Sequence, residues 1–386
     1  MMLMQVRDVL VASAPLAMRA ALVFLLLIAP VTSLTHRLGW VDQPDRRKMH
    51  VGAVPLAGGI GIALTLLAVG IWAAIAPQYL GLDPTALASL ARPWVWSLAG
   101  GALLVFMVAL VDDRIPLRPR WRFMAQIAAA LIAIAGGTVV GSLGELLWAA
   151  ELVLPLWFAV PFTVFGLCGV VNALNMSDGA DGLAGGLALI AIAWFTVVLA
   201  LLASTHADAE TLLLLVVVLA GALAGFLLLN LRAPWRARAS IFMGDSGSMT
   251  LGFVLGWLAV RSTNAFGEAG LPPVVALWIL AVPLADTVSC MLRRVAHGAT
   301  PMSPDHRHLH HMLPAAGLSV RRSVVYILAA ALALGGLGIL GWRMGVADWL
   351  MFWTWLALFG AYHFAALRFW AGRPPQPSDR IAPLRA

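Results

Sequence analysis

The sequence predicts an all-α polytopic membrane protein of about eleven transmembrane helices, with the N-terminus outside and the C-terminus in the cytoplasm. Three observations carry that expectation. Of 386 residues, 61% are hydrophobic and only 11% are charged, and the mean hydropathy is +0.91, whereas soluble domains hold about 25% charged residues. Apolar stretches long enough to cross a bilayer as helix follow one another with short gaps. The basic residues are also one-sided. With the N-terminus outside, segments 36–53, 112–122, 231–240, 293–322 and 368–386 become cytoplasmic and hold 20 of the 25 Lys and Arg residues, the bias that sets membrane orientation.

The stretches run over roughly 15–35, 54–76, 94–111, 121–142, 156–174, 183–204, 209–230, 241–260, 272–292, 323–345 and 348–370. The first follows Arg7, includes Arg19 near its start and has no clear small-residue cleavage site, so it reads as a span rather than a removed leader. Gly58-Gly59 and Pro161 fall inside the second and fifth, as membrane helices tolerate. The third ends on Asp112-Asp113, the fifth runs into a polar cluster, and the eighth opens on Phe242-Met243-Gly244-Asp245-Ser246-Gly247. The ninth contains Asp286. Residues 1–370 read as a single transmembrane domain and 371–386 as a disordered cytoplasmic tail. Cys168 and Cys290 both lie in apolar runs and imply no disulfide framework. The net charge of +7 is almost all arginine, with Lys48 the only lysine. Because those charges sit in the loops of one face, we expect no nucleic-acid partner.

The densest polar stretch is Asn172-Ala173-Leu174-Asn175-Met176-Ser177-Asp178-Gly179-Ala180-Asp181-Gly182. Left in hydrocarbon it would cost several kcal/mol, so it must line a wet, protein-walled surface. Asn172 and Asn175 are three apart, as are Asp178 and Asp181, and such pairs share a helix face. Oxygen donors converging there suit a hard divalent cation or a polar ring; the bland alternative is a loop that only caps two helices. Asp112 and Asp113 repel each other, which raises one pKa and makes that group a candidate base; the alternative is a cap neutralised by Arg114, Arg118, Arg120 and Arg122. Asp245 lies where backbone N–H groups favour anions and could hold a metal against a phosphate; simple N-capping explains it equally. His308, His310 and His311 sit near Arg293, Arg294 and Arg307, a setting that favours phosphate contact over metal binding. Asp286 is either functional at membrane depth or paired with Arg293 or another buried donor. Phe242 is either packing or a platform for a base ring. Every motif falls on the expected cytoplasmic face.

Taken together, these residues resemble the bacterial polyprenyl-phosphate N-acetylhexosamine-1-phosphate transferases. The matching stretches are Asp42-Gln43-Pro44 through Pro55-Leu56-Ala57-Gly58-Gly59, Val111-Asp112-Asp113, Asn172 to Leu183, Phe242 to Ser248, and Arg293-Arg294 through His311. Each is weak alone, and the ordered set is specific. The resemblance implies that a polyprenyl phosphate attacks the β-phosphorus of a UDP-amino sugar, giving polyprenyl-diphosphate-sugar and UMP with the anomeric configuration kept. It implies Mg²⁺ (or Mn²⁺) held by Asp245, with Asn175 as second ligand and Asp178 as runner-up. Asp112 is then the candidate base, with Asp113 beside it. Asp181 and Phe242 lie near uracil, and Lys48, Arg294 and His308 hold phosphates, supported by His310 and His311.

The branch that handles the muramoyl pentapeptide resembles three consecutive histidines, and Leu309 interrupts the run here. A UDP-N-acetylhexosamine donor, foremost UDP-N-acetylglucosamine, is therefore favoured for initiation of a cell-envelope glycan at the bacterial inner membrane. A homodimer is compatible with this reading. The rival from another class is a metal-ion or proton transporter, which needs ionisable groups near the midplane on a path open to both faces.

Overall fold

The computed structural model describes residues 2–43, 52–80, 91–147, 150–202, 207–233, 236–264, 270–300 and 307–373. Among these residues the chain forms α1 (Met2–Arg37), α2 (Gly58–Ile75), α3 (Pro93–Asp112), α4 (Pro119–Ala135), α5 (Leu156–Met176), α6 (Leu183–Leu202), α7 (Ala207–Asn230) and α8 (Gly244–Asn264). It continues with α9 (Pro273–Ile279), α10 (Ala281–Ala296), α11 (Leu309–Ala315), α12 (Val320–Arg343) and α13 (Asp348–Ala371). Two short strands, β1 (Val41–Asp42) and β2 (Val54–Pro55), pair antiparallel with Val41 opposite Pro55. Among the described residues, eight helices are long and apolar enough to cross a membrane, or nine with α9 and α10 taken as one bent span. The architecture is that of an all-α polytopic membrane protein.

A helix lies in each of the eleven expected stretches, but α4 and α8 are not among those long and apolar enough to cross a membrane, and two other features depart from expectation. The ninth stretch is broken into α9 and α10, bent by 81°. Pro283 explains the break: it has no N–H to give the Ile279 carbonyl, and its ring clashes there. The fourth helix stops at Ala135 instead of running to 142, because Gly136-Gly137 follows and Gly137 turns left-handed at φ +86°.

The bundle is organised around α8, which packs on α3 and α5 and also touches α2 and α6. Met249, Phe253, Leu255 and Trp257 on α8 are buried. Being walled by protein, α8 can carry Ser246, Ser248 and Ser262 fully buried, which a lipid-facing helix tolerates poorly. Small residues set the spacing: Gly252 lies against Val171 and Gly256 against Leu167 and Val170, so α5 and α8 approach closely. At the end of α8 away from Asp245, Arg261 donates to Asp208 of α7 at 2.9 Å, and Arg92 also pairs with Asp208. The Arg261 guanidinium lies 5.1 Å from the Trp94 ring centroid.

Candidate active site

The start of α8 is stitched to the first loop. Pro55 O accepts from Phe242 N at 2.9 Å, Phe242 O from Gly58 N at 2.9 Å, and Met243 O from Gly59 N at 3.0 Å. The N-termini of α2 and α8 consequently touch. A Cβ at Gly59 would overlap the Gly247 backbone nitrogen and stand 2.8 Å from Ser246 Oγ, so only glycine fits.

The acidic groups divide into a structural one and an open set. Asp113, just beyond α3, accepts from Asp245 N at 2.7 Å and from Ser246 N at 3.0 Å. It caps α8, so capping is not the job of Asp245. Burial chiefly, and the Asp245 charge, push the Asp113 pKa up to about 6 against the pull of those hydrogen bonds. Asp245 is left free to turn inward. Its Oδ1 accepts from Asn175 Nδ2 at 2.8 Å, and that amide also donates to Ser248 Oγ at 2.9 Å.

The remaining oxygens meet on Arg122, from the first turn of α4. Its Nη1 lies 2.9 Å from Asp112 Oδ2 and 3.2 Å from Asp245 Oδ2, and its Nη2 donates to Asn175 Oδ1 at 3.1 Å. Asp112 Oδ1 accepts from Leu117 N at 2.6 Å. Side chains from α3, α4, α5 and α8 thus meet at one end of the bundle. Two carboxylate oxygens and an amide oxygen already facing one cation form a hard-oxygen donor set that fits Mg²⁺ or Mn²⁺.

The loop between α5 and α6 closes one side. Asp178 opens to solvent at its tip, but the protein packed around the loop, and then the charges of Asp245, Asp113 and Asp181, push its pKa up. Asp181 is a tether: its Oδ2 accepts from Arg232 Nε at 2.8 Å and Ala239 N at 3.1 Å. Asn230, at the end of α7, accepts from Gly182 N and donates to Ile241 O, both at 2.8 Å. Together they bind the 231–241 segment to the start of α6. Asn172 stands apart from the acidic set, donating to Gln126 Oε1 at 2.8 Å and to Cys168 O at 2.7 Å.

The histidines form a second wall. Asp286 is buried and pairs not with Arg293 but with His308 Nδ1 at 2.8 Å, Leu309 N at 2.8 Å and Tyr362 Oη at 2.6 Å. Arg293 donates instead to Ser289 Oγ, Cys290 Sγ and Arg307 O. Arg294 Nη2 stands 3.2 Å from His308 Nε2. Burial opposes charge on His308, but the hydrogen bond and charge of Asp286 outweigh it and raise the imidazole pKa. His308 and His310 stack with ring centroids 5.6 Å apart, and His310 is pressed so closely on Gly179 that a Cβ there would overlap its ring. His310, rather than His308, therefore touches the acidic loop. Asp286, Cys290 and His308 also offer three ligand atoms within 4.8 Å. With the Arg293 guanidinium 2.9 Å from the thiol sulfur, that cluster is a poor home for a cation.

Lys48 and His306 lie outside the described residues. Phe242 is half-buried and is fixed through its backbone stitches. Arg122, Gln126, Ser248, Asn230 and Tyr362 are contacts that the motifs did not single out. Arg122 was one of four arginines expected only to neutralise Asp112-Asp113; it does pair with Asp112, but its reach to Asp245 and Asn175 was not expected. Tyr362, one of three tyrosines in the chain, donates to Asp286 from the far end of the sequence.

A family model described as glycosyl transferase family 4 matches residues 95–263, the stretch that supplies Asp112, Arg122, Asn175 and Asp245. Over 341 residues the chain is 34% identical to the undecaprenyl-phosphate alpha-N-acetylglucosaminyl 1-phosphate transferase of Escherichia coli K12, covering 86% of this chain and 85% of that one. The proteins of the same name are 33% identical over 338 residues in Yersinia pestis, covering 86% of each chain, and 30% identical over 351 residues in Pasteurella multocida, covering 91% of each.

Proposed function

The chain belongs to glycosyl transferase family 4, and we propose that it transfers N-acetylglucosamine 1-phosphate from UDP-N-acetylglucosamine to undecaprenyl phosphate, releasing UMP. The observation that carries this reading is the convergence of Asp112, Asn175 and Asp245 on one cation-sized point beside a wall of arginine and histidine. Phosphoryl transfer is mainly positioning and charge neutralisation, and this site supplies both. The transporter reading loses its support, since the relatives bear a transferase name. Asp286, buried on α10, is saturated by three donors.

In the proposed reaction a terminal oxygen of the lipid phosphate forms a bond to the β-phosphorus, and the bond from that phosphorus to the oxygen bridging to the α-phosphorus breaks. UMP leaves with that oxygen. The sugar–oxygen bond is untouched, so the anomeric configuration survives. Asp245 and Asn175 would hold Mg²⁺, which when bound supplies charge to phosphate oxygens. Asp113 fixes the backbone of Asp245 by capping α8. Asp112, at the end of α3, would act as the base for the lipid phosphate. Arg294 and His308 would steady phosphate oxygens, with Asp286 and Tyr362 fixing the imidazole. The arginine bias supports a site on the cytoplasmic face of the bacterial inner membrane.

The test is purified protein in nanodiscs with undecaprenyl phosphate and a panel of UDP-sugars. The expected result is a lipid-linked GlcNAc diphosphate and one UMP per turnover, lost with EDTA and restored by Mg²⁺. Product only from the muramoyl-pentapeptide donor, or none from any UDP-sugar, would overturn the reading.

A further inference from the structure

Arg122 occupies the electrostatic centre of the site, and its contacts are unlike those of a permanent structural ion pair. One nitrogen, Nη1, is shared between Asp112 Oδ2 at 2.9 Å and Asp245 Oδ2 at 3.2 Å. The other takes Asn175 Oδ1 at 3.1 Å. No carboxylate receives the two-pronged contact that makes arginine pairs strong. The side chain is 25% exposed, so water reaches it. It also stands in the first turn of α4, a turn with no acidic residue, where the helix dipole disfavours a cation.

The oxygens that Arg122 holds are the ones a metal would need. The Asp245 and Asn175 atoms turned elsewhere are already engaged, Asp245 Oδ1 as acceptor and Asn175 Nδ2 as donor, with each other and with Ser248. A divalent cation binding through Asp245 Oδ2 and Asn175 Oδ1 must therefore take both from the guanidinium. We propose that Arg122 is an exchangeable counter-ion. It holds the acidic pocket together before the metal–nucleotide arrives, yields its oxygens to the metal, and turns its planar fork to the incoming diphosphate. The consequence is coupling: the metal competes with a resident positive charge unless the nucleotide draws that charge away. This rests on the proposed metal-assisted transfer and adds a residue and a binding order to it.

The test is Mn²⁺ binding, followed by electron paramagnetic resonance on protein in nanodiscs, with and without UDP-N-acetylglucosamine. In the native protein, binding is expected to be weak alone and tightened by the nucleotide. Arg122→Gln should bind Mn²⁺ on the order of tenfold more tightly without nucleotide, with the nucleotide-induced gain reduced by the same factor through linkage, while turnover falls. Arg122→Lys keeps the charge and should stay within about threefold of the native metal affinity. Arg122→Met gives the same comparison if the Gln variant does not elute as a monodisperse protein. Native or weaker Mn²⁺ affinity in a folded neutral variant overturns the counter-ion role, as does tenfold tightening in Arg122→Lys. Absence of any Mn²⁺ binding by the native protein with nucleotide would instead sink the metal-assisted reading itself, which separates the two failures.

Discussion

Asp113 and Asp245 meet at one helix terminus, and their hydrogen bonds give them different work. Asp113 spends both oxygens on the α8 backbone, whereas Asp245 turns toward Asn175 and Arg122. Asp245→Asn keeps the shape and removes the charge, so UMP release should fall about 10²–10³-fold while the protein still elutes as a single folded species; near-native turnover would remove Asp245 from the metal site. The other residue-scale prediction concerns pH. Asp286 raises the His308 pKa above the ordinary 6.5. The stabilisation of charged His308 is therefore complete below pH 6.5 and is lost as pH climbs through the raised value. Asp286→Asn removes the charge that raises it, so the alkaline limb of the activity profile should move down by about one pH unit or more. An unmoved limb would show that His308 titration does not govern the reaction.

At the scale of elements, α8 succeeds as a buried helix because its neighbours are chosen for closeness. Gly59 and Gly247 face each other where α2 and α8 begin, and residues 55–59 and 242–243 share three hydrogen bonds there. Gly59→Val forces a branched side chain into the Gly247 backbone. It should cost about 1–3 kcal/mol, read as a lower thermal midpoint in detergent together with loss of turnover. The variant behaving as native in both would mean that the two helix starts can separate freely. The α9–α10 break is the element-scale lesson in the other direction. An apolar run of suitable length reads as one span, and only the position of Pro283, three residues after Leu280, signals that the helix cannot continue straight.

At the scale of the molecule, most of the apolar helices were legible because hydrocarbon imposes length and apolarity on a crossing helix, and the cluster of the candidate site was legible because Asp112, Asn175 and Asp245 are polar residues stranded at the ends of apolar runs. What stayed hidden was partnership. Nothing local in Arg114-Ile115-Pro116-Leu117-Arg118-Pro119-Arg120-Trp121-Arg122 marks the last arginine, and the tie from Tyr362 to Asp286 crosses 76 positions. Asp181, expected near uracil by resemblance, also holds Arg232, a partner 51 positions away that nothing local announces. Orientation is a whole-molecule property and has its own check. With Arg118→Cys as the only exposed thiol, since Cys168 and Cys290 are buried, a membrane-impermeant maleimide should label inverted vesicles and spare intact cells; labelling of intact cells would reverse the topology. A last consequence follows from the pair of Arg261 with Asp208, set at the opposite tip of α8 from Asp245. Anchored at both tips, the central helix is held against sliding along its own axis, so the carboxylate at one end keeps its depth for as long as the ion pair at the other end holds.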